Sequence, residues 1–142
     1  MKSILITGGA GFIGSHTCLL LLEKGFEVFI LDSFVNSSEK SIKNVALILK
    51  NKGIDTQKKI HLIKGDLKNS NDIEKVFQMS LKLKKEIQSV IHFAGLKSVS
   101  DSVKMPLNYW ENNVNGTINL LKVMEKYNCR SIVFSSSATV YK

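Results

Sequence analysis

Eight residues near the start of the chain, Thr7-Gly8-Gly9-Ala10-Gly11-Phe12-Ile13-Gly14, hold glycines in a GxxGxxG pattern. An apolar run precedes them, helical periodicity follows them, and an acidic residue, Asp32, lies about 20 residues on. Each part suits the binding of a dinucleotide. Gly8 lets the chain turn tightly, Gly11 lets backbone N–H groups approach a pyrophosphate, and Gly14 lets a helix and a strand pack closely. A helix N-terminus supplies a positive dipole end for the phosphates, and the Asp32 carboxylate would accept from adenosine ribose hydroxyls. That carboxylate would also repel a 2′-phosphate, and Ser33-Phe34-Val35-Asn36 offer no base to hold one, so NAD is expected over NADP. The competing reading is a tight strand–helix turn with an incidental aspartate.

Three further places could take part. Asp66, in Gly65-Asp66-Leu67, could accept from an adenine amino group, or could be an ordinary turn aspartate. Ala94-Gly95 are small enough for a ligand to lie against the backbone. Ser137 could donate to a substrate, or be one of three loop serines. His92 lies inside an apolar strand and is expected in the core, while His16 and His61 have no partner visible in sequence and receive no role. Cys18 and Cys129 show no metal-ligand or CxxC spacing; no metal site is expected, and a reducing compartment is the simpler reading.

The elements that must position these residues alternate. Strands are expected at Ser3–Ile6, Phe26–Leu31, Ile60–Ile63, Ser89–Phe93 and Ser131–Phe134. The first helix runs from Phe12 to Lys24, with Ile13, Thr17, Leu20 and Leu21 at helical spacing. Ser38 caps the second, whose face is Ile42, Val45, Ala46 and Leu49, ending near Gly53. Asn71 and Glu74 have the spacing of a capping box for the third. Residues 97–105 read as an irregular excursion. Pro106 opens a long helix to Tyr127, with apolar positions Leu107, Trp110, Val114, Ile118, Leu121 and Met124. Apolar strands alternating with helices imply an α/β fold, a doubly wound, Rossmann-like parallel sheet of about five strands in the order 3-2-1-4-5. A ligand then lies at the carboxyl ends of the strands.

Composition narrows the classes. A chain of 142 residues suffices for one core, and its 44% hydrophobic and 23% charged residues exclude wholesale disorder. The net charge is +8, but Arg130 is the lone arginine and the lysines are spread without interleaved aromatics, so no nucleic-acid partner is expected. Glycines break the N-terminal apolar stretch, and no run approaches a membrane span, so no membrane partner and a cytoplasmic location are expected.

The stretches ITGGAGFIGSHT (6–17), LDSFVNSS (31–38), KGDL (64–67), IHFAGLKSVSDSV (91–103), NNVNGT (112–117) and FSSSATVY (134–141) together resemble the N-terminal part of the UDP-glucose 4-epimerases, extended short-chain dehydrogenases/reductases. The resemblance implies tightly bound NAD and interconversion of UDP-glucose and UDP-galactose through a 4-keto sugar. It places Phe12, Ile13, Asp32, Ser33, Phe34, Val35, Asn36, Ser37, Asp66, Leu67, Phe93, Ala94, Gly95, Leu96, Lys97 and Asn112 at dinucleotide contacts, and Ser137 at the serine that hydrogen-bonds the reacting hydroxyl. Sugar-nucleotide dehydratases of the same superfamily are the second candidates. The family's base is the Tyr of a Tyr-x-x-x-Lys pair, and that pair does not occur here: Tyr109 has Asn113 at plus four, Tyr127 has Ser131, and Tyr141 precedes only Lys142. Lys142 also stands where the family usually has Gly. Residues 1–142 are therefore expected to be an NAD-binding domain without its substrate-binding part, inactive alone and prone to self-association or dimerisation. A non-catalytic dinucleotide-binding module is the alternative.

Overall fold

A computed structural model describes residues 2–137. The elements are β1 (Ser3–Thr7), α1 (Phe12–Glu23), β2 (Glu27–Asp32), α2 (Glu39–Asn51), β3 (Ile60–Lys64), α3 (Ser70–Lys82), β4 (Ile87–His92), α4 (Val99–Lys104), α5 (Pro106–Tyr109), a π-helical segment (Trp110–Asn115), α6 (Gly116–Lys126) and β5 (Ile132–Phe134). The five strands form one sheet in the order β3-β2-β1-β4-β5, all neighbours parallel, as the alternation implies.

The strand period of two splits the core into two layers. Ile4, Ile6, Val28 and Ile30 face α1 and α2 through Cys18, Leu22, Ile42, Val45 and Leu49. Leu5, Phe29, Leu31 and Val90 face α3 and α6 through Ile73, Val76, Phe77, Leu120, Val123 and Met124. Cys18 and Cys129 are buried free thiols in opposite layers. Burial pushes the Cys18 thiol up to about 12 and raises that of Cys129, so neither is a nucleophile at neutral pH.

Four sequence expectations need correction. The buried stripe of α1 is Gly14, Ser15, Cys18 and Leu22, while Ile13 and Leu20 are exposed. Small residues win that face because they let the helix lie close to the sheet. The cap of α3 is Asn69, whose Oδ1 accepts from the Asn71 amide at 3.1 Å. Glu74 binds Lys126 of α6 at 2.9 Å and so serves tertiary packing. Residues 99–104 form a helix capped by Ser98. The long helix is broken by the π segment, and its buried face is Gly116, Leu120, Val123 and Met124; Leu107, Trp110, Val114, Ile118 and Leu121 point outward. Hydropathy alone does not say which of two apolar stripes meets the sheet. At the described edge of the sheet, Val133 and Phe134 of β5 are also exposed.

Among the described residues, no helix is long and apolar enough to cross a membrane.

Candidate functional site

Because every strand runs the same way, the segments after β1, β2, β3 and β4 all emerge at one edge of the sheet. The structure thus gathers there the glycine turn, residues 32–37, Asp66 and Leu67, and residues 93–97.

The turn after β1 is shaped by backbone contact. Gly8 has φ +69°, a conformation that favours glycine, and a Cβ there would lie 2.7 Å from the Ala94 nitrogen. A Cβ on Gly14 would lie 2.3 Å from Gly8 O and 2.7 Å from Gly9 Cα. Gly11 differs: its Cβ would meet only Gly8 O, at 3.2 Å, and otherwise enter open space. Gly11 is also the N-cap of α1 and carries no side chain to satisfy the first-turn amides. The N–H groups of Phe12, Ile13 and Gly14 therefore remain available to an anion. Phe12 and Ile13 project their side chains into solvent beside them.

Asp32, at the end of β2, is buried. Its Oδ2 accepts from the Ala10 amide at 2.9 Å, and its Oδ1 accepts from the Phe34 amide at 2.9 Å and from Ser37 Oγ at 2.7 Å. The carboxylate thus ties the glycine turn to residues 33–37 and holds Phe34 at φ +58°. Sequence reasoning gave Asp32 a ligand and missed this scaffold role. The second tie, Ser41 Oγ donating to Ala10 O at 2.7 Å, had no sequence signal either. Val35 and Asn36 are exposed on the loop, and Ser33 is half-buried.

Asp66 is half-buried, its Oδ1 accepting from the Lys68 amide at 2.9 Å. The Leu67 side chain belongs to the core, so only its main chain can face a ligand. Its carbonyl accepts from Asn119 Nδ2 at 3.1 Å.

After β4, Phe93 packs on the first core layer, Ala94 abuts Gly8, and Gly95 and Lys97 are exposed. Leu96 is held by Asn113 of the π segment, whose Oδ1 accepts from the Leu96 amide at 2.8 Å and whose Nδ2 donates to the Leu96 carbonyl at 2.9 Å. Asn112 donates to Asn113 Oδ1 at 3.0 Å, which brings it to the same loop. Single-turn π segments inside helices recur at functional sites. Ser137 is exposed, three residues past the end of β5. Tyr141 and Lys142 lie outside the described residues.

His92 is in the core as expected, but its ring is fully engaged. Nδ1 lies 2.5 Å from Thr7 Oγ1 and Nε2 lies 3.0 Å from Thr117 Oγ1. Burial lowers its pKa, favouring the neutral ring. At the opposite end of the sheet, Glu27 is buried between His61, whose Nε2 is 2.7 Å from Oε1, and Lys85, whose Nζ forms an ion pair with Oε2 at 2.7 Å. Two residues on from Glu27, Phe29 stacks on the His61 ring. This explains His61, for which the sequence showed no partner.

The sequence model of the family described as GDP-mannose 4,6 dehydratase matches residues 5–141. UDP-glucose 4-epimerase 3 of Oryza sativa subsp. japonica is 52% identical over 139 residues, covering 98% of this chain and 35% of that protein. Among solved structures, UDP-glucose 4-epimerase of Bifidobacterium longum in complex with NAD+ and UDP superimposes with a TM-score of 0.83 at 42% identity, over 99% of this chain and 38% of that one. The Stenotrophomonas maltophila UDP-glucose 4-epimerase with bound NAD and formylated UDP-arabinopyranose gives 0.84 at 37% identity, with 99% and 38% covered. The chain spans little more than a third of the length of these relatives. Matched over almost all its residues, it belongs to the GDP-mannose 4,6 dehydratase family, and the relatives it resembles include UDP-glucose 4-epimerases.

Proposed function

We propose that this chain is the NAD-binding portion of a UDP-glucose 4-epimerase, the substrate being a UDP-hexose bound by the complete enzyme. The observation that carries the reading is the glycine turn itself: Gly8 and Gly14 are closed by backbone contact, whereas Gly11 opens onto unfilled space beside free helix amides. A pyrophosphate fits that cradle, and the residues present fit NAD.

Within the reading, the first-turn amides at Phe12, Ile13 and Gly14 bind the pyrophosphate. A carboxylate has about four lone-pair sites; protein donors use three at Asp32, and one is left for a ribose hydroxyl. Asp66 accepts from the adenine amino group, and residues 93–97 with Asn112 line the remainder of the dinucleotide. When bound, NAD supplies reversible hydride acceptance from the sugar carbon. Ser137 orients the reacting hydroxyl by a hydrogen bond. Proton removal needs an activated base, and no Tyr-x-x-x-Lys pair is present in the 142 residues. The chain alone is therefore a binding domain and not a catalyst. The apolar stripe Leu107, Trp110, Val114, Ile118 and Leu121, with Val133 and Phe134, supports self-association. A cytoplasmic location is part of the proposal.

Titration calorimetry of NAD and NADP into the purified chain tests the reading. Saturable NAD binding, weaker NADP binding and a Tm that rises with NAD are expected. Absence of NAD binding, or equal affinity for both, overturns it.

A further inference from the structure

The ring of His92 joins three elements, and the hydrogens along it can be placed. The Thr117 hydroxyl donates to the Asn113 carbonyl at 2.6 Å, the back-bond open to a helical threonine. A hydroxyl has one hydrogen, so toward His92 the Thr117 oxygen can only accept. His92 Nε2 must then carry the proton, at 3.0 Å. In the neutral ring Nδ1 is left as an acceptor, and Thr7 Oγ1 is its donor, at 2.5 Å. The resulting order is Thr7 hydroxyl to His92 Nδ1, His92 Nε2–H to Thr117, and Thr117 hydroxyl to Asn113.

Both ends of this series reach the candidate site. Thr7 is the last residue of β1 and is followed directly by Gly8. Asn113 holds both main-chain groups of Leu96, and a methyl at Gly95 would meet its Oδ1 at 3.4 Å. The Asn113 carbonyl that receives the Thr117 hydroxyl lies in the π segment, where the wider turn shifts the helix pairing to Gly116 N–H and Glu111 O.

We infer that His92 is a positioning residue for the loop 93–97: protonated on Nε2, it braces Thr117 and, through it, the Asn113 clamp on Leu96, against the end of β1 where the glycine turn begins. The inference rests on the NAD-binding reading above, since the loop it holds is one wall of that site. His92 touches no ligand and acts through Thr117 and Asn113.

The variants Thr117→Val and Thr117→Ser separate hydrogen bonding from packing, because valine keeps the shape and loses the hydroxyl while serine keeps the hydroxyl. In the unliganded full chain, Thr117→Val is expected to speed amide exchange at Leu96 about tenfold, the net worth of roughly one hydrogen bond. NAD is expected to bind about tenfold more weakly to Thr117→Val, and Thr117→Ser to stay within about twofold of the parent in both measurements. Nitrogen-15 NMR of the unmutated chain is expected to show the Nε2–H tautomer at His92. Unchanged Leu96 exchange and NAD affinity in Thr117→Val overturn the inference. So does serine as damaging as valine, and so does an Nδ1–H tautomer, a result that needs no variant to fold. A parent chain that fails to bind NAD refutes the functional reading instead, and Leu96 exchange then still decides whether the brace exists.

Discussion

Gly11 and Gly14 lie in one turn of chain, and their surroundings predict opposite outcomes on substitution. In Gly11→Val the new Cβ meets Gly8 O at 3.2 Å and nothing else within 4 Å, and φ of −69° suits any residue. Loss of the glycine cap costs a few tenths to about 1 kcal/mol, and the stiffer unfolded chain returns about 0.4–1 kcal/mol. Stability should therefore stay within about 1 kcal/mol of the parent. The side chain nevertheless fills the opening that the pyrophosphate needs, so NAD binding should be lost. In Gly14→Ala the Cβ sits 2.3 Å from Gly8 O and 2.7 Å from Gly9 Cα, far inside the ~3.5 Å optimum for non-bonded heavy atoms. Both contacts are backbone and cannot rotate away. Because backbone must move, the cost falls at the upper end of the about 1–3 kcal/mol typical of overpacking, and the about 1 kcal/mol gained by replacing a helical glycine leaves a net loss of about 1–2 kcal/mol. A Tm lower by about 3–8 °C is expected for Gly14→Ala, and one within about 4 °C of the parent for Gly11→Val. Thermal denaturation followed by circular dichroism, with calorimetric titration of NAD, reads both. A Gly11→Val chain that binds NAD like the parent would make the loop a mere turn. A Gly14→Ala chain as stable as the parent would show that α1 is not held by the contacts described.

Three further outcomes follow from named contacts. Asp32→Asn keeps an acceptor for the Ala10 or Phe34 amide and removes the charge, so it should fold and narrow the NAD-over-NADP preference; an unchanged affinity ratio on titration would place discrimination elsewhere. Acid should destabilise the fold in two stages, followed by urea unfolding against pH. His92 has a folded pKa below its ordinary 6.5, so its contribution is complete above 6.5 and fades as pH falls below it. Burial alone would raise the Glu27 carboxyl, but Lys85 and His61 outweigh it and hold it below 4.5, so its contribution is lost as pH falls below 4.5. Glu27→Gln should cost about 1–3 kcal/mol at neutral pH and flatten the lower stage; an unaltered lower stage would assign it to other carboxylates. In a coupled assay for UDP-glucose, the chain should turn over no UDP-galactose, because a positioned base typically contributes about 10²–10⁴-fold and orientation of the hexose often more; robust turnover would show that a base outside the Tyr-x-x-x-Lys pattern suffices.

The sheet was legible in the sequence because its strands are short apolar runs between turn residues, and because parallel, right-handed connections leave few orders to choose from. The gathering of the glycine turn, Asp32, Asp66 and residues 93–97 at one edge was legible for the same reason, and Gly8 and Gly14 do lie where a Cβ would meet backbone. What the sequence hid are choices made by tertiary partners. The helix after Pro106 has two apolar stripes, and the one that meets the sheet carries Gly116, which sits over Leu67. Asn71–Glu74 has the spacing of a capping box, but Asn69 caps the helix and Glu74 has a lysine 52 residues away. The polar core is the clearest instance. Thr7, His92, Asn113 and Thr117 are unremarkable singly, and only the i, i+4 pair Asn113–Thr117 has a local spacing that sequence reading could have noticed. Their joint geometry appears when β1, β4 and the π segment come together, with the lone hydroxyl hydrogen of Thr117 deciding the protonation of a histidine 25 residues away in sequence. On the proposed NAD-binding reading, this edge depends on glycines that keep backbones close and equally on a buried polar series that keeps the facing loop in register with them.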